Sequence, residues 1–241
     1  MTADRFEERR RGERRLRRIR WALAALVVVV ACGLVWLVWF SSLLSVRTVE
    51  IDGLKTLEAS EVRDQADIDM GEPLVRVDTV EIEARVAALE RVERVTVSRE
   101  WPRTVRIRVA ERTAVAWVGD SGEIRGVDRY GIDFRSFEKK PDDLYELRLD
   151  IDDPEGRQRA LEAAASVVTS LRTDAPELDE QVHHVDVSSQ DDIVLRLDDD
   201  RSVTWGSAAK TAEKLRVLEP LLELDAREYD VSAPEQPTTK D

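Results

Sequence analysis

Residues 95–116 read VTVSREWPRTVRIRVAERTAVA, and this stretch carries the strongest fold signal in the chain of 241 residues. Valine and isoleucine alternate with polar residues on both sides of Trp101-Pro102. Alternation with a period of two indicates strands that bury one face. Proline fixes φ and has no amide donor for a central ladder, so Trp101-Pro102 is typical of the turn between two strands. The stretch therefore predicts a β-hairpin with one buried face.

The residues before the hairpin predict the rest of a small domain. VRTVEIDG, residues 46–53, alternates and stops at Gly53, which indicates a short strand and a turn. Residues 58–67 favour a helix, and the spacing of Asp78 and Glu81 resembles a capping box that opens a second helix. The order strand–helix–helix–strand–strand predicts a three-stranded sheet with two helices on one face.

An apolar run near the N-terminus predicts a membrane span. Residues 21–40 read WALAALVVVVACGLVWLVWF and hold no charged residue. Twenty helical residues rise about 30 Å, the thickness of a bilayer's hydrocarbon core, so we expect a transmembrane helix over residues 21–41. Residues 1–20 carry nine arginines against four carboxylates, which favours a cytoplasmic tail and an exported remainder. A secretory signal is the alternative, but no small-residue cleavage site follows the run.

Charge and cysteine content limit the function classes. The chain has a formal charge of −13, while the tail over residues 1–20 is positive, so the exported part is strongly acidic. Phosphate would repel that part, which excludes nucleic acid as a partner. The only cysteine, Cys32, lies in the apolar run, so no disulfide supports the exported fold. The basic tail acts as a topology signal or, alternatively, contacts anionic lipid.

A second exported unit has a different order of elements. Short alternating strands are predicted at AVAWV, EIRGVD, VHHVDVS, DIVLRL and SVTW. Residues 155–172 predict one helix, and Ser207 is the expected N-cap of another that extends to Leu224. A final strand is expected at REYDVSA, with residues 235–241 as a loose tail. The exported part is therefore of the α+β class, with a mixed or antiparallel β-domain and two longer helices.

Five stretches in this order resemble the FtsQ/DivIB cell-division family, its actinobacterial members in particular. They are VEIDG (49–53), GEPLVRVDTVEIEARVAAL (71–89), the hairpin at 95–116, VTWGSAAKTAEKL (203–215) and YDVSAP (229–234). The resemblance implies a POTRA domain over residues 46–116 and an FtsQ-type β-domain over residues 117–234. It further implies a single-pass protein of the cell membrane, with its C-terminus outside the cytoplasm, located at the division septum.

The resemblance also implies a function without catalysis. Family members scaffold the divisome, link early and late division proteins, and recruit or regulate septal peptidoglycan synthesis. They contact small bitopic proteins of the FtsB and FtsL type through an open C-terminal strand, to which a partner segment pairs by β-augmentation. The strand implied here comprises Tyr229, Asp230, Val231, Ser232, Ala233 and Pro234. The structural signature residues implied are Gly53, Asp78, Arg99, Trp101, Pro102, Glu111 and Arg112 in the POTRA domain, and Trp205, Gly206 and Ser207 in the β-domain.

Motifs for catalysis are weak in this sequence. His183 and His184 are the only histidines, and adjacent residues on a strand are expected to point to opposite faces, where they cannot share a metal. The sequence has no G-x-S-x-G, no S-x-x-K and no phosphate-binding glycine loop. We therefore expect no enzyme, no cofactor and no metal. A membrane-anchored cell-wall enzyme or ligand-binding sensor stays open as the alternative hypothesis.

Overall fold

The computed structural model describes residues 20–33, 35–36, 38–39, 42–120 and 122–241. The expected cytoplasmic tail lies outside these residues apart from Arg20, and the expected span over residues 21–41 lies partly outside them. Helical backbone is seen at residues 20–33. Among the described residues, no helix combines the length and the apolar character needed to cross a bilayer.

The chain divides into two compact units, Met1–Glu111 and Arg112–Asp241. The boundary therefore falls between Glu111 and Arg112 and not after Ala116, because residues 114–120 already form a strand of the second unit. The elements of the first unit are a 3-10 turn Ser42–Leu44, β1 Thr48–Asp52, α1 Ala59–Ala66, α2 Thr79–Ala87, β2 Val92–Glu100 and β3 Thr104–Glu111.

The first unit has the predicted architecture. Its sheet has the order β1-β3-β2, with β1 parallel and β2 antiparallel to β3. Val62 of α1 and Val86 of α2 are buried in one apolar cluster with Val105 and Ile107 of β3. Asp78 caps α2, since its Oδ1 accepts hydrogen bonds from the amides of Val80 at 3.0 Å and Glu81 at 3.2 Å. The strand–helix–helix–strand–strand prediction is confirmed.

Gly53 follows β1 in a backbone conformation that residues with a side chain rarely adopt. Its φ is +88°, and a Cβ at this position would lie 2.0 Å from the carbonyl oxygen of Val109 in β3. Only glycine lets the chain leave β1 this close to the neighbouring strand. The glycine therefore does more than end a strand, because it also fixes how closely the turn packs on β3.

Glu111, the last residue of β3, holds the turn that leads into α1. Its carboxylate accepts hydrogen bonds from the amides of Lys55, Thr56 and Leu57 and from the Thr56 hydroxyl, the Thr56 contacts measuring 2.9 Å and 2.7 Å. Burial of the carboxyl raises its pKa, but the hydrogen bonds, led by that from Lys55, outweigh burial and lower the pKa of Glu111 to about 2. The ionised carboxylate is thus part of the folded unit.

We expect Glu111→Gln to destabilise the first unit in a pH-dependent way. The folded pKa is depressed, so the ionised carboxylate stabilises the fold above pH 4.5 and this contribution is lost as the pH falls towards 2. A shift from 4.5 to about 2 corresponds to about 3 kcal/mol at neutral pH. Urea unfolding of both proteins between pH 7 and pH 2 measures this contribution. The difference in the free energy of unfolding between variant and parent should shrink as the pH falls. A constant gap, or an equal effect of the exposed control Glu61→Gln, would contradict this.

The second unit is built on one mixed sheet. Its strands are β4 Ala114–Asp120, β5 Glu123–Asp128, β6 Asp133–Phe137, β7 Tyr145–Leu149, β8 Val182–Ser189, β9 Asp192–Leu197, β10 Ser202–Thr204, β11 Glu228–Asp230 and β12 Thr238–Lys240. Among the described residues their order is β12-β11-β10-β9-β8-β7-β4-β5-β6. The β4–β7, β7–β8 and β10–β11 pairs are parallel, so the sheet is mixed, as expected.

In the described part of this unit three helices accompany the sheet: α3 Pro154–Asp174, α4 Pro176–Asp179 and α5 Thr211–Leu221. The core contains Leu161 and Val168 of α3 together with Val185 of β8, Leu195 of β9 and Leu218 of α5. The two longer helices of the prediction are therefore present, with α3 starting behind its N-cap Asp153, whose Oδ2 accepts the Gly156 amide at 2.6 Å.

Several elements of the second unit differ from the prediction. Strands β6, β7 and β12 and the short helix α4 were not expected. Ser207 does not cap α5, which begins at Thr211 behind Lys210, a residue with φ +56°. The reason is local: residues 206–210 form an irregular turn in which the Ser207 hydroxyl accepts the Ala209 amide at 3.4 Å. Helix α5 also ends at Leu221, short of the expected Leu224.

Candidate partner-binding edge

The C-terminal strands form one end of the large sheet. β11 lies between β10, to which it is parallel, and β12, to which it is antiparallel. Val203 of β10 pairs with Tyr229 of β11, and Tyr229 pairs in turn with Thr239 of β12. Among the described residues β12 is the outermost strand at this end of the sheet and pairs only with β11, so its other side is an edge. We call Thr238–Lys240 the terminal edge.

The expected edge strand over residues 229–234 needs correction. The strand ends at Asp230, and its outer side is already covered by β12. Tyr229 and Val231 are buried, the Tyr229 hydroxyl donates to the Leu224 carbonyl at 2.8 Å, and the Val231 amide donates to the Thr204 carbonyl at 3.0 Å. These two residues therefore belong to the core and not to a partner surface.

Residues 231–237 form a loop that brings the chain back along β11. Ser232 and Ala233 are exposed, Pro234 is buried, and the Ser232 amide donates to the Asp230 carboxylate at 2.9 Å. Glu235 in this loop forms an ion pair with Lys210 before α5. Pro234 and Pro237 in this loop have no amide to donate to a ladder, and β12 begins directly after Pro237. The expected loose tail at 235–241 therefore contains a strand.

The terminal edge has the features of a strand that can accept another. All three of its side chains are exposed, and none is apolar apart from the threonine methyl groups. Lys240 pairs with Glu228 across the hairpin, with its Nζ 3.3 Å from the carboxylate. Unpaired backbone groups on an edge strand are a template for an incoming strand, whose backbone would supply the missing hydrogen bonds.

Trp205, Gly206 and Ser207 directly follow β10, which is separated from the terminal edge by β11. Trp205 is fully buried, and its amide donates to the Ile193 carbonyl at 2.9 Å. Gly206 has a φ of +73°, and a Cβ there would lie 2.9 Å from the Ser232 side chain, so glycine lets the loop after β11 approach. Ser207 contributes its backbone carbonyl to a buried lysine.

That lysine, Lys214 of α5, was missed by sequence reasoning. It is buried, and its Nζ donates to the carbonyls of Trp205 at 2.8 Å and Ser207 at 2.7 Å. Burial lowers the pKa of Lys214. One signal was available: Lys214 is four residues before Leu218, so it falls on the buried stripe of its helix. The lysine ties α5 to the backbone at the end of β10.

We expect Lys214→Met to lower the stability of the second unit by about 1–3 kcal/mol, because it removes the donor to the buried Trp205 carbonyl and the part-buried Ser207 carbonyl. Hydrogen–deuterium exchange should show faster exchange in β10 and β11 and no change in β1–β3. The control is Lys139→Met, which alters an exposed lysine. Equal exchange in the two variants would show that the two hydrogen bonds contribute little.

The expected POTRA signature residues belong to the first unit, apart from Arg112. Arg99 of β2 donates from Nη2 to the Val77 carbonyl at 2.6 Å, which holds the entry to α2. Trp101 and Pro102 form the tip of the β2–β3 hairpin and are both exposed, with a cis peptide bond between them. Arg112 begins the second unit and pairs with the buried carboxylate of Asp128 at 2.5 Å. Asp128 was not singled out from the sequence.

The two histidines are closer together than expected. The prediction that they point to opposite faces is wrong, since their Nδ1 atoms are 2.9 Å apart. The register of β8 against β9 shifts between Val182 and His184, and such a bulge breaks the strict alternation of faces. Among the residues that the structure describes, no group of three or more His, Cys, Asp or Glu residues is placed to hold a metal ion.

Comparison with known proteins identifies the family. A family model described as "POTRA domain, FtsQ-type" matches residues 44–112. Cell division protein FtsQ of Mycobacteroides abscessus is 37% identical over 202 residues, which cover 83% of this chain and 63% of that protein. FtsQ of Mycobacterium tuberculosis is 34% identical over 201 residues, covering 83% and 62%. FtsQ of Streptomyces bingchenggensis is 37% identical over 208 residues, covering 82% and 76%.

The match extends well beyond the POTRA segment, since it covers more than four-fifths of this chain in each comparison. The chain spans slightly less than two-thirds of the length of the mycobacterial relatives. With its POTRA unit, its mixed C-terminal sheet and this similarity, the chain belongs to the FtsQ family of cell division proteins.

Proposed function

We propose that this chain is a divisome scaffold of the cell membrane, acting at the division septum. It holds small bitopic proteins of the FtsB and FtsL type, links early and late division proteins, and thereby recruits and regulates septal peptidoglycan synthesis. Membership of the FtsQ family is the single observation that carries the proposal. A scaffold requires surfaces that contact its partners and does not require a catalytic group.

The terminal edge is the proposed contact with a bitopic partner. Its support is the position of Thr238–Lys240 at the end of the sheet, with β11 on one side only. A partner strand added there would continue the sheet through backbone hydrogen bonds, while its side chains provide selectivity. The buried Tyr229 and Val231 act indirectly, because they hold the hairpin that presents the edge.

The apolar run of residues 21–40 is the proposed membrane anchor. Twenty residues without a charge are long enough to cross the hydrocarbon core, and the arginine excess over residues 1–20 favours a cytoplasmic N-terminus. Both folded units would then lie outside the cytoplasm as a single-pass type II protein. The anchor keeps the terminal edge within reach of partners that sit in the same membrane.

Depletion of the protein in its own host tests the proposed function. We expect undivided cells that elongate or swell, and a fluorescent fusion of the full chain should form a mid-cell band before constriction. Division at the normal rate after depletion, or a fusion spread evenly over the membrane of dividing cells, would contradict the scaffold role. Purified protein that cleaves or binds wall fragments would instead support the enzyme or sensor alternative.

A further inference from the structure

The exposed apolar side chains of the POTRA segment are gathered at one end. In residues 42–111, which the structure describes without a gap, four large apolar side chains are exposed: Leu43 at 54%, Met70 at 61%, Val80 at 72% and Trp101 at 53%. They come from four separate parts of the sequence. We call this set the apolar end.

Backbone contacts place Leu43, Met70 and Trp101 at the same end. The Arg47 amide donates to the Arg103 carbonyl at 2.9 Å, so the chain before β1 lies against the hairpin tip that holds Trp101. Arg103 also donates from Nε to the Leu43 carbonyl at 3.1 Å. The Gly71 amide, next to Met70, donates to the Val46 carbonyl at 2.9 Å.

Val80, in the first turn of α2, lies at the same end. Arg99, two residues before Trp101, holds the Val77 carbonyl, and the Val97 amide donates to the Glu83 carboxylate at 2.7 Å. The first turn of α2 is therefore level with the last residues of β2. The other end of α2 leads through a short turn to the start of β2, away from the hairpin tip.

The apolar helix that precedes the POTRA segment joins it at this end. Leu43 follows that helix within a few residues, and the guanidinium of Arg76 lies 5.9 Å from the centre of the Trp39 ring. With residues 21–40 in a bilayer, the apolar end would be the part of the POTRA segment nearest to that bilayer. Tryptophan rings favour the headgroup level of a bilayer, and arginine stems extend along apolar surface to reach phosphates.

We propose that the apolar end is a membrane-seating surface, inserted into the headgroup region of the bilayer that carries the anchor. Arg47, Arg76 and Arg103 lie at this end, and their positive charge is offset by Asp69, Glu72 and Asp78. Apolar contact and not net charge therefore provides the binding, which should persist at high salt. The Trp101-Pro102 tip thus has a role beyond closing a turn: it holds the POTRA unit against the membrane.

Fluorophores at the two ends of α2 test this proposal, which rests on the proposed membrane anchor. The full chain, with Cys32→Ser and one new cysteine carrying an environment-sensitive fluorophore, is placed in nanodiscs of phosphatidylglycerol and phosphatidylethanolamine that contain a headgroup spin label. The fluorophore at Met70→Cys or Val80→Cys should be quenched several-fold more than the fluorophore at Ala87→Cys. Ala87 is an exposed position seven residues further along α2, about 10 Å from Val80. Adding Trp101→Ser to the Val80→Cys protein should reduce the quenching.

Alkaline carbonate extraction of the same proteins from membranes separates the two proposals. Extraction into the soluble fraction would overturn the anchor and, with it, the proposed topology. Retention in the membrane with equally weak quenching at residues 70, 80 and 87 would overturn the seating surface alone and would indicate a protein partner for Trp101. Quenching that disappears in high salt would also contradict the proposal, because attraction between charges would then hold this surface on the membrane.

Discussion

Gly53→Ala is expected to disrupt the POTRA unit far more than Gly71→Ala. A Cβ at this position would lie 2.0 Å from the Val109 carbonyl oxygen, and the backbone has φ +88°. A left-handed conformation costs a side chain about 1–2 kcal/mol, and displacing a packed strand costs about 1–3 kcal/mol more. The sum, about 2–5 kcal/mol, is a large part of the stability of a small domain.

The measurement is hydrogen–deuterium exchange of β1 and β3 together with urea unfolding. Gly71→Ala is the matched control, because Gly71 has φ +95° but nothing lies within 4 Å of a Cβ built there. The control should show only the cost of the backbone conformation. If the two variants lose the same stability, close approach to Val109 is not the reason for glycine at residue 53.

Removal of residues 238–241 is expected to abolish capture of the bitopic partner while the second unit stays folded. The deleted side chains are exposed, and they pair with β11 on one side only. Removal of residues 229–241 is expected to unfold the unit instead, because Tyr229 and Val231 are part of its core. Co-purification of the partner from membranes, with far-ultraviolet circular dichroism of the same proteins, measures both outcomes.

The double variant Thr238→Ala, Thr239→Ala is the control for this truncation. It removes the hydroxyl groups but keeps every backbone donor and acceptor of β12, so a partner held by backbone pairing should still be captured. Capture by the truncated chain would contradict the role of the terminal edge. Loss of capture in the double variant would assign recognition to the side chains instead.

The POTRA unit was predictable because its signals are local. Asp78 caps the helix that directly follows it, the alternation over residues 95–109 indicates both strands of the hairpin, and Gly53 marks the end of β1. Each of these signals acts within a few residues of the element it specifies.

The C-terminal edge was mispredicted because an outermost strand has no buried face. β12 contains two threonines and a lysine, all exposed, so no apolar alternation marks it, and the prolines before it suggested a tail. Tyr229 and Val231 show alternation because they are core residues, whereas the edge over residues 229–234 was an expectation from the family resemblance. β6 is likewise a five-residue strand at the other end of the sheet.

The buried lysine shows a second limit of pattern reasoning. Lys214 falls on the apolar stripe of α5, but its partners are the carbonyls of Trp205 and Ser207, which only the folded backbone brings to it. A charged residue on a buried stripe can be a buried cation whose hydrogen bonds are all made, or it can mark a position where the apolar stripe is interrupted. Which of these holds depends on contacts between elements.

Site-specific photo-crosslinking in dividing cells tests the central claim most directly. A photoreactive residue in place of Thr239 reports on the terminal edge, and one in place of Ser136, exposed on β6, reports on the opposite edge of the same sheet. We expect a crosslink from residue 239 to a small bitopic division protein and none from residue 136. Crosslinking of that protein at residue 136 and not at residue 239 would contradict the assignment of the terminal edge as the partner-binding strand.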